Sequence, residues 1–229
     1  LCVLAVIRNT FRYFKLKKLH IRDNRKFIGK ADVKLMSFIT SSDHALPDID
    51  GFFATNAVAE KKAIIENAVK VVLASKITPK IERIHDNQTI NFGTQNQGII
   101  LYKTQEIPID FSWTFIAVRD SSRERTNAEL ALQIVQDDSF NDLISNIGII
   151  AGAAANPAFT AGAMIVKFVA ETTLKVLAES KDREIGIVLT SFIGAEDYPD
   201  GDGKGNYVPD ATGNMHYYYS IFSHEVLPV

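Results

Sequence analysis

A single cysteine, Cys2, is all the thiol chemistry the sequence holds. That excludes an internal disulfide framework and any zinc site built on paired thiolates, and it suits either a reducing compartment or a bridge-free secreted protein. Its place in the apolar stretch 1–7 is a poor setting for a reactive thiolate. An excess of one charge is lacking too. Twenty-five basic against 27 acidic residues leave a net charge of −2, which provides no long-range field to gather nucleic acid or an anionic membrane. The five histidines, His20, His44, His85, His216 and His224, are scattered without an H-E-x-x-H spacing, and no Gly-x-Ser-x-Gly elbow, Walker loop or dinucleotide fingerprint occurs. Gly201-x-Gly203-x-Gly205 lies among carboxylates that would repel phosphate. Asp43-His44 and His85-Asp86 are the adjacent acid/base pairs, but such pairs are common in loops, so the residues favour a non-enzyme.

What is present fits one domain. The chain has 229 residues, 46% of them apolar and 23% charged, enough to bury a core without staples. It starts at Leu1, which reads as a processed or trimmed product, and 1–7 reads as a strand.

Residues 11–22 and 27–39 are rich in β-branched and aromatic types and are joined by the polar turn Asp23-Asn24-Arg25-Lys26, which predicts a hairpin. Between 56 and 76, Val58, Ile65, Val69, Val72 and Leu73 recur at helical spacing, predicting an amphipathic helix. Strand character returns at 77–84, 88–92, 99–103 and 107–118. The last of these alternates as a half-buried antiparallel strand does, and Pro108 marks a strand start or an edge. Three helix starts follow. Thr126-Asn127-Ala128-Glu129 fits a capping box, Ser139-Phe140-Asn141-Asp142 is a weaker version, and Asn156-Pro157 pairs an N-cap residue with proline at the first helical position. They predict helices near 127–136, 140–155 and 157–179. A strand at 185–193, a Gly/Asp-rich loop and an aromatic strand at 215–223 complete the chain. In the last of these, alternation turns Tyr218 away from Tyr217 and Tyr219, which leaves at most two rings for a sugar-stacking face. The element order lacks βαβ alternation and points to an α+β protein on antiparallel sheets.

Residues 143–166 carry no charge and include Gly148-x-x-x-Gly152. The run is long enough for a bilayer, yet Asn156-Pro157 breaks it into two short helices. We read it as a buried helical hairpin, with a membrane-inserting hairpin as the alternative.

Acidic loops suggest calcium, which takes oxygen ligands. Asp200 and Asp202, with Asn206 and Gly205, mimic part of an EF-hand loop, but Lys204 occupies a ligand position and no Glu closes the site; turn chemistry alone also explains the segment. Leu19-His20-Ile21-Arg22-Asp23 followed by Phe27-Ile28-Gly29-Lys30-Ala31-Asp32-Val33-Lys34-Leu35 resembles the loop-to-strand passage of C2 domains, and Lys181-Asp182-Arg183-Glu184-Ile185-Gly186-Ile187-Val188-Leu189 resembles a second one. The resemblance covers about 30 residues. It implies an antiparallel β-sandwich whose acid-rich loops at one end hold calcium against phospholipid head groups, with Asp23, Asp32, Asp182 and Glu184 where ligands would fall. The family's paired Asp-x-Asp is missing at both passages, and the helical block has no counterpart in a simple C2 domain.

The sequence therefore predicts a single domain over 1–229: a C2-like antiparallel β-sandwich with one amphipathic helix and a helical insertion near 127–179. Its expected role is a non-catalytic binding module that contacts a membrane surface or a protein partner through acidic loops, with Ca2+ as the candidate cofactor and no nucleic acid. The candidate metal residues are Asp23, Asp32, Asp182, Glu184, Asp200 and Asp202. The alternative is a membrane-inserting or pore-forming protein that uses 143–166.

Overall fold

The computed structural model of the protein describes residues 11–42, 46, 48–77, 79–94, 97–120, 126–179 and 183–222. Residues 1–7, Asp43, His44, Asp182 and His224 lie outside them. The described residues form an α+β structure with two antiparallel sheets. One sheet has the order β4-β1-β9-β8, where β1 is Arg12–Ile21, β4 Gln88–Asn91, β8 Gly203–Pro209 and β9 Met215–Ile221. Strand β5 (Ile99–Thr104) shares the β4 side of β1. The second sheet runs β3 (Lys80–Ile84), β2 (Ala31–Ser41), β6 (Asp110–Arg119), β7 (Arg183–Ile193).

The two sheets enclose an aromatic core. Phe14 of β1 meets Trp113 of β6 edge-on at 5.0 Å between ring centroids, and Trp113 meets Tyr217 of β9 at 5.2 Å. Such edge contacts add about 0.5–1.5 kcal/mol each beyond area burial. The alternation read at 215–223 holds: Tyr217 and Tyr219 share a face, whereas Tyr218 lies against Tyr207.

Helices cover the other face of the second sheet. Met36 and Phe38 of β2, Ile116 and Val118 of β6 and Ile187 of β7 form a second core with α1 (Ile49–Ala54), α2 (Val58–Ser75), α3 (Asn127–Val135), α4 (Phe140–Asn146) and α5 (Pro157–Glu179). Helix α2 buries Ile65, Ala68, Val69, Val72 and Leu73, one stripe at i, i+3, i+4, i+7 and i+8, while Val58 at its start is exposed. The capping box at Thr126 and Glu129 forms, and Asn156 Oδ1 accepts the Phe159 N–H above Pro157. Ser139 makes no side-chain cap; its own N–H donates to Asp137 instead. After α4 the chain continues as a π-helical stretch, Ile147–Ala151. Ile147, Ala151, Ala161, Ile165 and Val166 of the uncharged segment are buried in this helical layer, and among the described residues no helix is long and apolar enough to cross a membrane.

Two strand expectations need correction. Strands β1 and β2 are not a hairpin: each has hydrogen-bonded neighbours on both sides within its own sheet, and residues 22–30 arch from one layer to the other. Strand β6 is not half-buried. It lies between β2 and β7, and Ser112 and Thr114 on its helix-facing side are buried along with Phe111 and Trp113 on the other. The Gly/Asp-rich loop contains a short helix, α6 (Gly194–Asp197), and the edge strand β8.

Candidate functional site

The β1–β2 arch is built from its own polar residues. Asn24 is fully buried; its Nδ2 donates to Gly29 O at 2.9 Å and Ile84 O at 2.7 Å, and its Oδ1 accepts the Lys26 N–H at 2.8 Å. The Asn24 N–H reaches the Asp86 carboxylate at 2.8 Å. Arg25 adopts φ 60 and its N–H donates to Asp23 Oδ1, while Arg119 at the end of β6 donates to the Arg25 carbonyl. Asn214, before β9, clamps the other flank: it accepts the Asp23 N–H at 3.0 Å and donates to Asp23 O at 3.0 Å and Ile185 O at 2.7 Å. Satisfied buried polar groups of this kind fix a loop in one conformation.

What this frame presents is apolar. Phe27 is 100% exposed and Ile28 is 76% exposed, side by side at the tip, and Gly29 turns the chain back with φ 90. Lys26 and Lys30 flank them. Lys26 Nζ donates to Lys30 O at 2.7 Å, drawing the loop into a groove of about 490 Å³ lined also by Ala31, Asp32, Arg119 and Asp120. The two carboxylates face Lys80, whose Nζ lies 3.1 Å from Asp120 and 3.9 Å from Asp32; the bond to Asp120 raises the Lys80 pKa.

No family model, curated protein or solved structure matches the chain.

The five candidate metal residues that the structure describes fall into two groups at opposite ends of the sheets. Asp23 follows Ile21, which pairs with Met215, whereas Asp200 and Asp202 precede Gly203, which pairs with Ile221 at the far end of β9. Asp32 and Glu184 lie at the Asp23 end, since Val33 and Arg183 both pair with Arg119. There the acids have protein partners. Asp23 binds Arg25 and Asp32 accepts the Arg83 N–H at 2.9 Å, whereas at Glu184 Arg25 Nε reaches the backbone carbonyl, at 3.2 Å, rather than the carboxylate. Burial raises the Glu184 pKa, as does the Asp210 carboxylate, with Arg25 opposing. Asp210 itself is a brace: it accepts the N–H groups of Ile187, Met215 and Thr212. Among the described residues no three His, Cys, Asp or Glu side chains converge as a metal set.

The three described histidines are likewise spread. His20 and His216 sit on the outer face of the first sheet, where Tyr207 stacks on His216, and exposed His85 donates its N–H to Gln88. Residue-level reasoning on the sequence missed Phe27 and Ile28 as a site because it assigned both to a strand. The visible signal was the pattern Arg25-Lys26-Phe27-Ile28-Gly29-Lys30, an apolar pair inside basic residues.

Proposed function

We propose that this protein is a non-catalytic binding module that docks on anionic membrane surfaces, with Phe27 and Ile28 entering the interface and Lys26 and Lys30 meeting head groups. The observation that carries this reading is the fully exposed Phe27 beside Ile28 on an arch whose base is locked by Asn24 and Asn214. Two large apolar side chains held in water gain about 1.5–3 kcal/mol each when fully buried. Each lysine near an anionic surface adds about 1 kcal/mol. A rigid arch loses little conformational entropy on docking. The net charge of −2 does not oppose this, because attraction within a Debye length of about 8–10 Å depends on local charge.

The likeness to C2 domains in residues 19–35 supports docking by a loop end. In that family acid-rich loops bridge to phospholipid through calcium; here the engagement of Asp23 by Arg25 and of Asp32 by Lys80 favours direct contact by the basic and apolar residues.

Sedimentation with phosphatidylcholine vesicles, with and without phosphatidylserine, in calcium and in chelator, tests the reading. Binding to the anionic vesicles in both buffers, lowered at least tenfold by Phe27→Ser with Ile28→Ser, is expected. Binding that requires calcium or ignores the double substitution would overturn it. Release of entrapped dye would favour the pore-forming alternative, which uses 143–166 and would draw on the exposed Ile149 and Ile150.

A further inference from the structure

We infer that the groove beside the tip is a site for a phosphomonoester lipid head group, an inference that rests on the membrane-docking reading above. Three cations line this one concavity: Lys26, Lys30 and Arg119. Its volume of about 490 Å³ lies within the 300–1,000 Å³ of small-molecule sites. Lys26 and Arg119 are positioned rather than loose, because each donates to a backbone carbonyl of the arch, Lys30 O and Arg25 O. An ammonium has three donors, so Lys26 keeps two beyond that bond.

Asp32 and Asp120 also line the groove and set its selectivity. Lys80 bridges both carboxylates, so among the described residues the cluster of four cations and two carboxylates is net positive by two. That charge matches the charge of about −1.5 to −2 on a phosphomonoester and its three acceptor oxygens, whereas a phosphodiester carries a single charge. The lipid source follows from the sequence of the arch. Lys26 and Lys30 bracket Phe27 and Ile28, so a phosphate in the groove belongs to a molecule lying at the surface the tip enters.

The experiment compares full-length protein on phosphatidylcholine vesicles doped to equal charge with phosphatidylserine, phosphatidylinositol, phosphatidic acid or phosphatidylinositol 4-phosphate. The last two carry a phosphomonoester, and both should bind at least tenfold more tightly than the first two. Lys30→Ala, at an exposed position, should erase that preference, while binding to phosphatidylserine vesicles falls by only the roughly fivefold that one surface lysine contributes. Phe27→Ser should weaken binding to all four. Equal binding of the four lipids, or a preference that survives both Lys30→Ala and Lys26→Ala, overturns the head-group site and leaves membrane docking standing. Absence of binding to every vesicle overturns both. Glycerol 3-phosphate in solution should compete only weakly; competition as strong as that of phosphatidic acid vesicles would overturn the lipid source.

Discussion

Trp113 Nε1 donates to Ser37 Oγ at 2.9 Å, both groups buried between the two sheets. The indole has no other polar atom, and the hydroxyl sits on the neighbouring strand β2 one residue away from the helix-facing Phe38. This single bond lets the largest core side chain carry an N–H into an apolar interior. Ser37→Ala removes the acceptor and strands the donor, at about 1–3 kcal/mol. Equilibrium denaturation should show that loss, and Trp113→Phe combined with Ser37→Ala should lose less than the two single substitutions added together. Additive losses would mean that the bond contributes nothing.

Gly205 is fixed by an approach rather than by its dihedrals. A Cβ there would lie 2.0 Å from Tyr219 Cε1, the residue it faces across β8 and β9. The ring cannot simply swing aside, because it packs on Phe192 at 5.1 Å and Phe14 at 5.9 Å. Gly205→Ala should therefore destabilise the fold by about 1–3 kcal/mol through overpacking. Adding Tyr219→Ala should recover part of the loss, measured as the shift in thermal midpoint relative to Tyr219→Ala alone.

The elements legible in the sequence were those whose determinants are local. The stripe of Ile65, Val69, Val72 and Leu73 and the Thr126/Glu129 box lie within one or two turns of chain, and both formed as read. Strand pairing is different in kind. A polar turn at Asp23–Lys26 suits a hairpin and an inter-sheet arch equally, and the choice is made by partners far along the chain, β9 for β1 and β6 for β2. That one ambiguity also hid the candidate site, since Phe27 in a hairpin strand would be core. Asp200 and Asp202 looked like companions of Asp23 for the same reason, because separation in space is decided by the sheets.

Acid should loosen the helical layer through Asp137. Its side chain is 8% exposed, and its carboxylate accepts from Lys175 Nζ at 2.7 Å and from the Ser139 N–H at 3.0 Å. The Lys175 bond first, then the Ser139 bonds, lower its pKa to about 2 from 3.8. A depressed carboxylate stabilises the fold above its unfolded value and loses that contribution as pH falls through the folded one. The thermal midpoint should thus drop between pH 3.8 and about 2. Asp137→Asn should be less stable at neutral pH and show a shallower drop in that window; an unchanged slope would refute the assignment.

His216 works in the opposite chemical sense over a higher range. Burial chiefly, then the Arg22 charge and His20, hold its pKa below 6.5, against a weaker pull from Asp210. The unfolded chain takes up this proton first, so the neutral-ring contribution is complete above pH 6.5 and erodes as pH falls from there through the folded value. Tyr207 stacks on the ring at 4.0 Å, a contact that phenylalanine can keep. His216→Phe should flatten the stability profile on the acid side of pH 6.5 while leaving the alkaline side in place. Urea midpoints measured across that range decide it, and a profile as steep as before would locate the proton elsewhere.

Asn24 links stability to the proposed surface. Its amide satisfies two carbonyls and one N–H at a point with no solvent access, and the groups it binds belong to the arch itself and to the end of β3. Asn24→Ala should cost about 2–4 kcal/mol, because several buried groups lose partners together. It should also weaken vesicle binding although Phe27, Ile28, Lys26 and Lys30 are all present, since an unlocked arch must be ordered before its apolar pair can insert. Phe27→Ser predicts the reverse pattern, weaker binding with an unchanged thermal midpoint, because a fully exposed ring contributes nothing to the core. Measuring both quantities on both variants separates a docking tip from a structural loop: if Asn24→Ala lowers the midpoint yet binds vesicles as tightly as the parent, the rigidity of the arch has no part in docking.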